Sequence, residues 1–143
     1  NDNYHPTRSH VLPALIRRFH EAKRTGAASV TCWGDGSPRR EFLYVEDLAN
    51  LCVFLMNHYH GSETVNAGTG QEITIKALAE LVARVVGYQG EICWDTEKPN
   101  GTPRKLLDVS KATALGWRYQ TELEEGVRLA YADFQENVAP TLG

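Results

Sequence analysis

Arg39 and Arg40 directly follow the run Gly34-Asp35-Gly36-Ser37-Pro38. Two glycines and an aspartate tolerate positive φ and proline presets a bend, so the run reads as a tight turn. Two guanidiniums beside a turn with accessible backbone N–H groups make a seat for a polyanion. A diphosphate suits that fork, because arginine offers planar, bidentate donors that stay charged at any working pH. A second basic pair, Arg104-Lys105, follows Gly101-Thr102-Pro103. Two such loops, with Trp33 beside the first, suit a nucleotide diphosphate: cations for the phosphates, an aromatic face for the base or ribose. A hairpin with solvated arginines accounts for the same residues.

His10 stands just ahead of a helical stretch, after Arg8-Ser9. An imidazole there is suited to general acid work near neutral pH, and equally to a capping or surface position. His5, His20, His58 and His60 have no metal-ligand spacing with cysteines or acids. Glu46 and Asp47 read as the acidic first turn of a helix rather than an acid–base pair. Cys32, Cys52 and Cys93 are odd in number, widely spaced and set in apolar stretches. That pattern predicts reduced core thiols in a cytoplasmic protein, with no disulfide framework or zinc site.

The elements that position these residues alternate. Val11, Leu15 and Phe19 form the apolar stripe of a helix over 11–25, with Ser9 as its cap and Gly26 as its stop. Residues 30–33 and Phe42-Leu43-Tyr44-Val45 read as strands on either side of the turn. A helix from Glu46-Asp47 to about His58 rests on Leu48, Leu51, Cys52, Leu55 and Met56. Glu63 to Ala67 reads as a short buried strand. Thr74 caps a helix that Gly87 closes, and Ile92-Cys93-Trp94 is a further strand. Ser110 caps a short helix that stops at Gly116. Thr121-Glu122-Leu123-Glu124 has the capping-box pattern, opening a last helix to about Asn137. Gly68-Thr69-Gly70 lacks the third glycine and the downstream acid of a dinucleotide fingerprint.

The 143 residues carry a net charge of −3 and are 42% hydrophobic and 23% charged, an ordinary balance for one globular domain. With pI near 6.0 there is no basic field for nucleic acid. No apolar run approaches the ~20 residues of a membrane span. The chain opens on Asn1-Asp2-Asn3-Tyr4-His5-Pro6, a loop-like run without an initiator Met, and we expect it to be a piece of a longer protein. The fold class expected is α/β, with a small mixed sheet and four or five helices.

Several blocks together resemble the C-terminal part of the GDP-L-fucose synthases, within the extended short-chain dehydrogenase/reductases (the NAD-dependent epimerase/dehydratase family). They are Asp2 to Pro6, Ser9 to Phe19, Trp33 to Gly36 with Arg40-Glu41-Phe42, Val65 to Gly70, and Lys98 to Asp108. They occur in family order over nearly the whole chain, and the last is the most specific. The resemblance implies that residues 1–143 are a GDP-sugar-binding lobe of a two-lobe enzyme whose N-terminal Rossmann half is not in this sequence. It implies that His10 is catalytic, moving protons at the sugar carbons during epimerisation. Arg40 and Lys105 match diphosphate-holding positions, Arg18 a substrate-contacting one, and Val11 and Trp33 positions lining the pocket.

The implied reaction converts GDP-4-keto-6-deoxy-D-mannose to GDP-L-fucose with NADPH, bound mainly by the other half, in a cytoplasmic homodimer. The family's catalytic Ser, Tyr-x-x-x-Lys pair and partner Cys have no match in this chain, so it is expected to be inactive by itself. Two alternatives stand beside this reading. One is another nucleotide-sugar epimerase, dehydratase or reductase of the extended family; the other is a non-catalytic nucleotide-sugar binding module.

Overall fold

The structure, a computed structural model, describes residues 2–142. Helix α1 (Val11–Thr25) buries Leu15, Ile16, Phe19 and Ala22 along one face. Gly26, at φ 66°, ends it in the left-handed conformation and returns its N–H to Ala22 and Lys23, leading straight into β1 (Ser29–Trp33). The same device recurs. Helix α3 (Ile75–Val86) is capped by the Thr74 hydroxyl on the Ala77 N–H at 3.1 Å, and Gly87, at φ 77°, turns it toward β4 (Glu91–Asp95). β1 and β4 pair in parallel, from Ser29 with Glu91 to Trp33 with Asp95. α1 packs on α3 around a core in which Phe19, Leu78 and Val82 have no solvent exposure. α5 (Leu123–Asp133) closes that core with Val127, and a single π-helical turn continues it through Phe134, also fully buried.

A second sheet holds three strands of two residues each, in the order β3-β2-β5. β2 is Arg39–Arg40, β3 Ile73–Thr74 and β5 Arg104–Lys105. A smaller core joins α2 (Val45–His58) to α4 (Ser110–Ala114) through Leu51, Ala112 and Trp117. The buried Asp47 carboxylate accepts the backbone N–H groups of Gln120 (3.1 Å) and Thr121 (2.9 Å), and Asn50 Oδ1 accepts the Trp117 indole N–H at 2.9 Å.

The mixed α/β class and the five α-helices match the expectation; the local details differ in several places. The turn at 34–38 does not close a hairpin, because β1 pairs with β4 while β2 belongs to the other sheet. Phe42 to Tyr44 form no ladder and lead into α2, which starts at Val45. Residues 63–67 pair with no strand. Ser9 is not the cap of α1; His10 holds that position without a side-chain bond. Ser110 is the first residue of α4, and Asp108 accepts its N–H at 2.9 Å. Glu122, not Thr121, is the N-cap of α5, and the Thr121 N–H donates to Asp47 instead of to a carboxylate of its own helix.

The α2 stripe is also split. Leu51 faces the small core, whereas Leu48, Cys52, Val53 and Met56 lie on an exposed outer face. Of the three cysteines only Cys32 is fully buried, and Cys93 is half-buried; all three are free. Burial raises the Cys32 thiol pKa, a shift that the Arg18 charge partly opposes.

Candidate functional site

The central turn is built by ties from three directions. Gly34 and Gly36 both sit at φ 76°, where glycine is the least strained residue. The Gly34 N–H donates to Asp95 O at 2.8 Å, and the Asp35 N–H to Asn100 Oδ1 at 2.8 Å. On the far side, Gly36 O and Pro38 O accept the N–H groups of Lys76 and Ile75, both at 2.9 Å. A methyl group on Gly36 would run into the Lys76 side chain and the Trp94 ring. The Asp35 carboxylate folds back on the Ser37 N–H at 2.8 Å, and its bonds to Ser37 hold its pKa below the usual carboxylate value.

The turn delivers Arg39 and Arg40 beside Arg104 and Lys105. β2 and β5 pair in parallel, with Arg39 opposite Arg104 and Arg40 opposite Lys105. Successive strand residues point to opposite faces, so the four cations divide into two pairs. Arg39 and Arg104 share one carboxylate: Arg39 Nη1 lies 3.4 Å from Glu72 Oε1, and Arg104 Nε 2.7 Å from Glu72 Oε2. Arg40 and Lys105 have no ion-pair partner among the described residues. Arg40 Nη1 donates to its neighbour's carbonyl, Arg39 O, at 2.7 Å, and Gly101, at φ 74°, passes close beside its other guanidinium nitrogen. Two adjacent cations without an internal carboxylate are what a diphosphate needs, since each can take one phosphate and together they match its charge.

Glu41 fastens the loops around this sheet. Its carboxylate accepts the Gly70 N–H and, at 3.0 Å, the Leu107 N–H, with the Thr69 hydroxyl at 3.4 Å. A side chain at Gly68 would displace that carboxylate. The Gly68-Thr69-Gly70 loop is therefore already occupied by an internal anion. It follows no strand, and it does not fit a dinucleotide phosphate.

The other expected site residues fall in separate places. Trp33, 62% exposed, ends β1 one residue before the turn. Arg18 is half-buried on α1, and its charge acts on the Cys32 thiol, which lies on the buried face of β1 opposite to Trp33. His10 and Val11 lie about two helical turns away, at the start of α1. Val11 packs partly on the main core. The His10 side chain is 91% exposed, and its one ion-pair partner among the described residues is Asp2, at 4.0 Å. The structure thus groups Arg40 with Lys105; Arg18 and Trp33 are on opposite faces of β1, and His10 joins neither.

A cavity of about 450 Å³ lies elsewhere, between Tyr4, the start of α1, residues 42–46 and α5. Asp2, Glu46, Glu122 and Asp133 line it and no basic residue does, so it repels a diphosphate. Sequence reasoning missed Glu41, Glu72 and Asn100. The one available signal was Glu41 itself, an acid placed directly after a basic pair.

Three comparisons place the chain among known proteins. The model of the NAD dependent epimerase/dehydratase family matches residues 1–68. The "Probable GDP-L-fucose synthase 1" of Oryza sativa subsp. japonica is 60% identical over 137 residues, covering 96% of this chain and 42% of that protein. The "GDP-L-fucose synthase" of Escherichia coli strain K12 is 46% identical over 146 residues, covering 96% and 46%. A solved structure, a GDP-L-fucose synthetase from Naegleria fowleri bound to NADP, superposes with a TM-score of 0.88 at 27% identity, over 95% of this chain and 43% of that one. The chain spans less than half the length of each of these relatives. Its first 68 residues match the model of the NAD dependent epimerase/dehydratase family, and its relatives by sequence include GDP-L-fucose synthases.

Proposed function

We propose that this chain is the C-terminal, GDP-sugar-binding lobe of a longer enzyme that converts GDP-4-keto-6-deoxy-D-mannose to GDP-L-fucose with NADPH. The observation that carries the reading is the Arg40–Lys105 pair, set side by side by the parallel pairing of β2 with β5 and lacking a described counter-ion. In this reading Arg40 and Lys105 hold the diphosphate, Trp33 offers its exposed face to the nucleoside, and Arg18 and Val11 contact the substrate from α1. His10 moves protons at the carbons flanking the 4-keto group, whose hydrogens the carbonyl makes acidic. Its solvent exposure suits a residue whose partners lie outside this chain.

The occupied Gly68–Gly70 loop supports assigning NADPH to the remainder of the enzyme. The apolar outer face of α2 supports a remainder that packs against this lobe. No helix among the described residues is long and apolar enough to cross a membrane. The enzyme we propose is cytoplasmic and homodimeric. The deciding experiment is nucleotide selectivity in the intact protein. GDP binding that depends on Arg40 supports the reading. Equal binding of UDP would move it to another nucleotide-sugar enzyme of the family. A full-length sequence without a Tyr-x-x-x-Lys pair would leave only a binding module.

A further inference from the structure

We propose that Glu72 is a positioning residue for the diphosphate pair, acting through Arg39 and Arg104 rather than on the ligand. The inference rests on the diphosphate role given above to Arg40 and Lys105. Glu72 immediately precedes β3, at one edge of the β3-β2-β5 sheet. Its carboxylate reaches Arg39 on the central strand and Arg104 on the far strand, so one side chain ties together all three. Hydrogen bonds flank it, from the Arg39 N–H to Pro103 O at 2.8 Å and from the Leu107 N–H to the Glu41 carboxylate at 3.0 Å, but each strand is only two residues long and such short ladders are marginal.

The pairing would otherwise oppose itself. Arg39 stands opposite Arg104 and Arg40 opposite Lys105, so four like charges cross one short ladder. Like charges directly opposite one another destabilise a strand pair. Glu72, with its side chain only 18% exposed, cancels much of the repulsion on one face and keeps β5 in register. The repulsion left on the other face is then available to a diphosphate. A neutral side chain at 72 lets β5 draw away from β2, carrying Lys105 from Arg40.

The test measures the Kd for GDP by calorimetry, and KM and kcat for the GDP-sugar, in the intact protein that carries this chain. Glu72→Gln is expected to raise Kd and KM about tenfold with little change in kcat. Adding Arg104→Gln to Glu72→Gln is expected to bring the Kd back to within about threefold of the parent value, because the repulsion it relieves is then gone. A purely structural loss would lower Tm without that rescue. Should Glu72→Gln fail to fold, Glu72→Asp, which keeps the charge but shortens its reach, is expected to raise the Kd about threefold. Wild-type GDP affinity in the folded Glu72 variant, or a double variant no better than Glu72→Gln, overturns the inference. Arg40→Ala separates the two levels. If it weakens GDP binding while Glu72→Gln does not, only the positioning role fails; if it binds GDP normally, the diphosphate site itself fails and the inference with it.

Discussion

Arg40 and Lys105, sixty-five positions apart in sequence, stand directly opposite one another in a parallel ladder of two residue pairs. Neighbouring strands of a sheet lie ~5 Å apart, so two cations that local reasoning placed in separate loops share one surface. Their charge does not change during an epimerisation or a reduction. Arg40→Ala is therefore expected to raise KM for the GDP-sugar about tenfold or more while changing kcat less. Steady-state kinetics on the intact protein check this, and a normal KM would count against the site.

His10 should behave in the opposite way. If it moves protons at the sugar carbons, His10→Gln lowers kcat about a hundredfold, within the usual range for a lost general acid, and leaves GDP binding nearly intact. Deuterium wash-in from solvent reports the epimerisation step directly. Full wash-in by the variant would remove His10 from the mechanism.

The turn should be sensitive to a single methyl group. Gly36→Ala adds a Cβ where Lys76 and Trp94 stand, at a φ of 76° that alanine avoids. A loss of about 1–3 kcal/mol is expected from the strain, read by urea unfolding. Weaker GDP binding should accompany it, because the same turn delivers Arg40.

Asp47 is a stability residue despite its place in an acidic helix start. Its carboxylate satisfies two backbone N–H groups at the entrance to α5. Asp47→Ala leaves both donors without that partner and is expected to cost about 1–3 kcal/mol in urea unfolding. Asp47→Asn, which keeps one acceptor oxygen, is expected to cost less.

His20 gives the fold a pH dependence. Its Nδ1 lies 3.1 Å from the Tyr131 hydroxyl, and its ring meets Phe134 edge-on. Burial, together with the charges of Arg24 and Lys23 and against that of Glu21, pushes its pKa below the ordinary 6.5. The unfolded chain then takes up the proton first as pH falls, so stability declines from about pH 6.5 downward until the folded-state imidazole is also protonated. Urea midpoints between pH 7.5 and 5 are expected to fall for the parent and to fall less for His20→Phe.

The parts of the fold that sequence revealed are those set by neighbours in the chain. α1 and α3 were readable because an apolar stripe meets a glycine stop, and β1 and β4 because their residues are apolar or β-branched. The pairing of strands was not readable. β1 chose β4 rather than β2, and a local run such as Phe42 to Val45 contains nothing that says whether a ladder partner exists. The capping box at Thr121 failed for a related reason: the Asp47 carboxylate, seventy-four positions earlier, holds the Thr121 N–H. At the site, both basic pairs and Trp33 were legible as residue types beside shaped turns. Glu72 was not, because its contact with Arg104 spans thirty-two positions.

The most direct test of the central claim is a titration of the intact protein with GDP and with UDP, followed by tryptophan fluorescence, alongside an Arg40→Ala/Lys105→Ala variant. Saturable quenching by GDP, a much weaker response to UDP, and loss of the GDP response in the double variant are the predicted results. Equal affinity for the two nucleotides would contradict the GDP-sugar assignment, and unimpaired GDP binding by the double variant would contradict the diphosphate site.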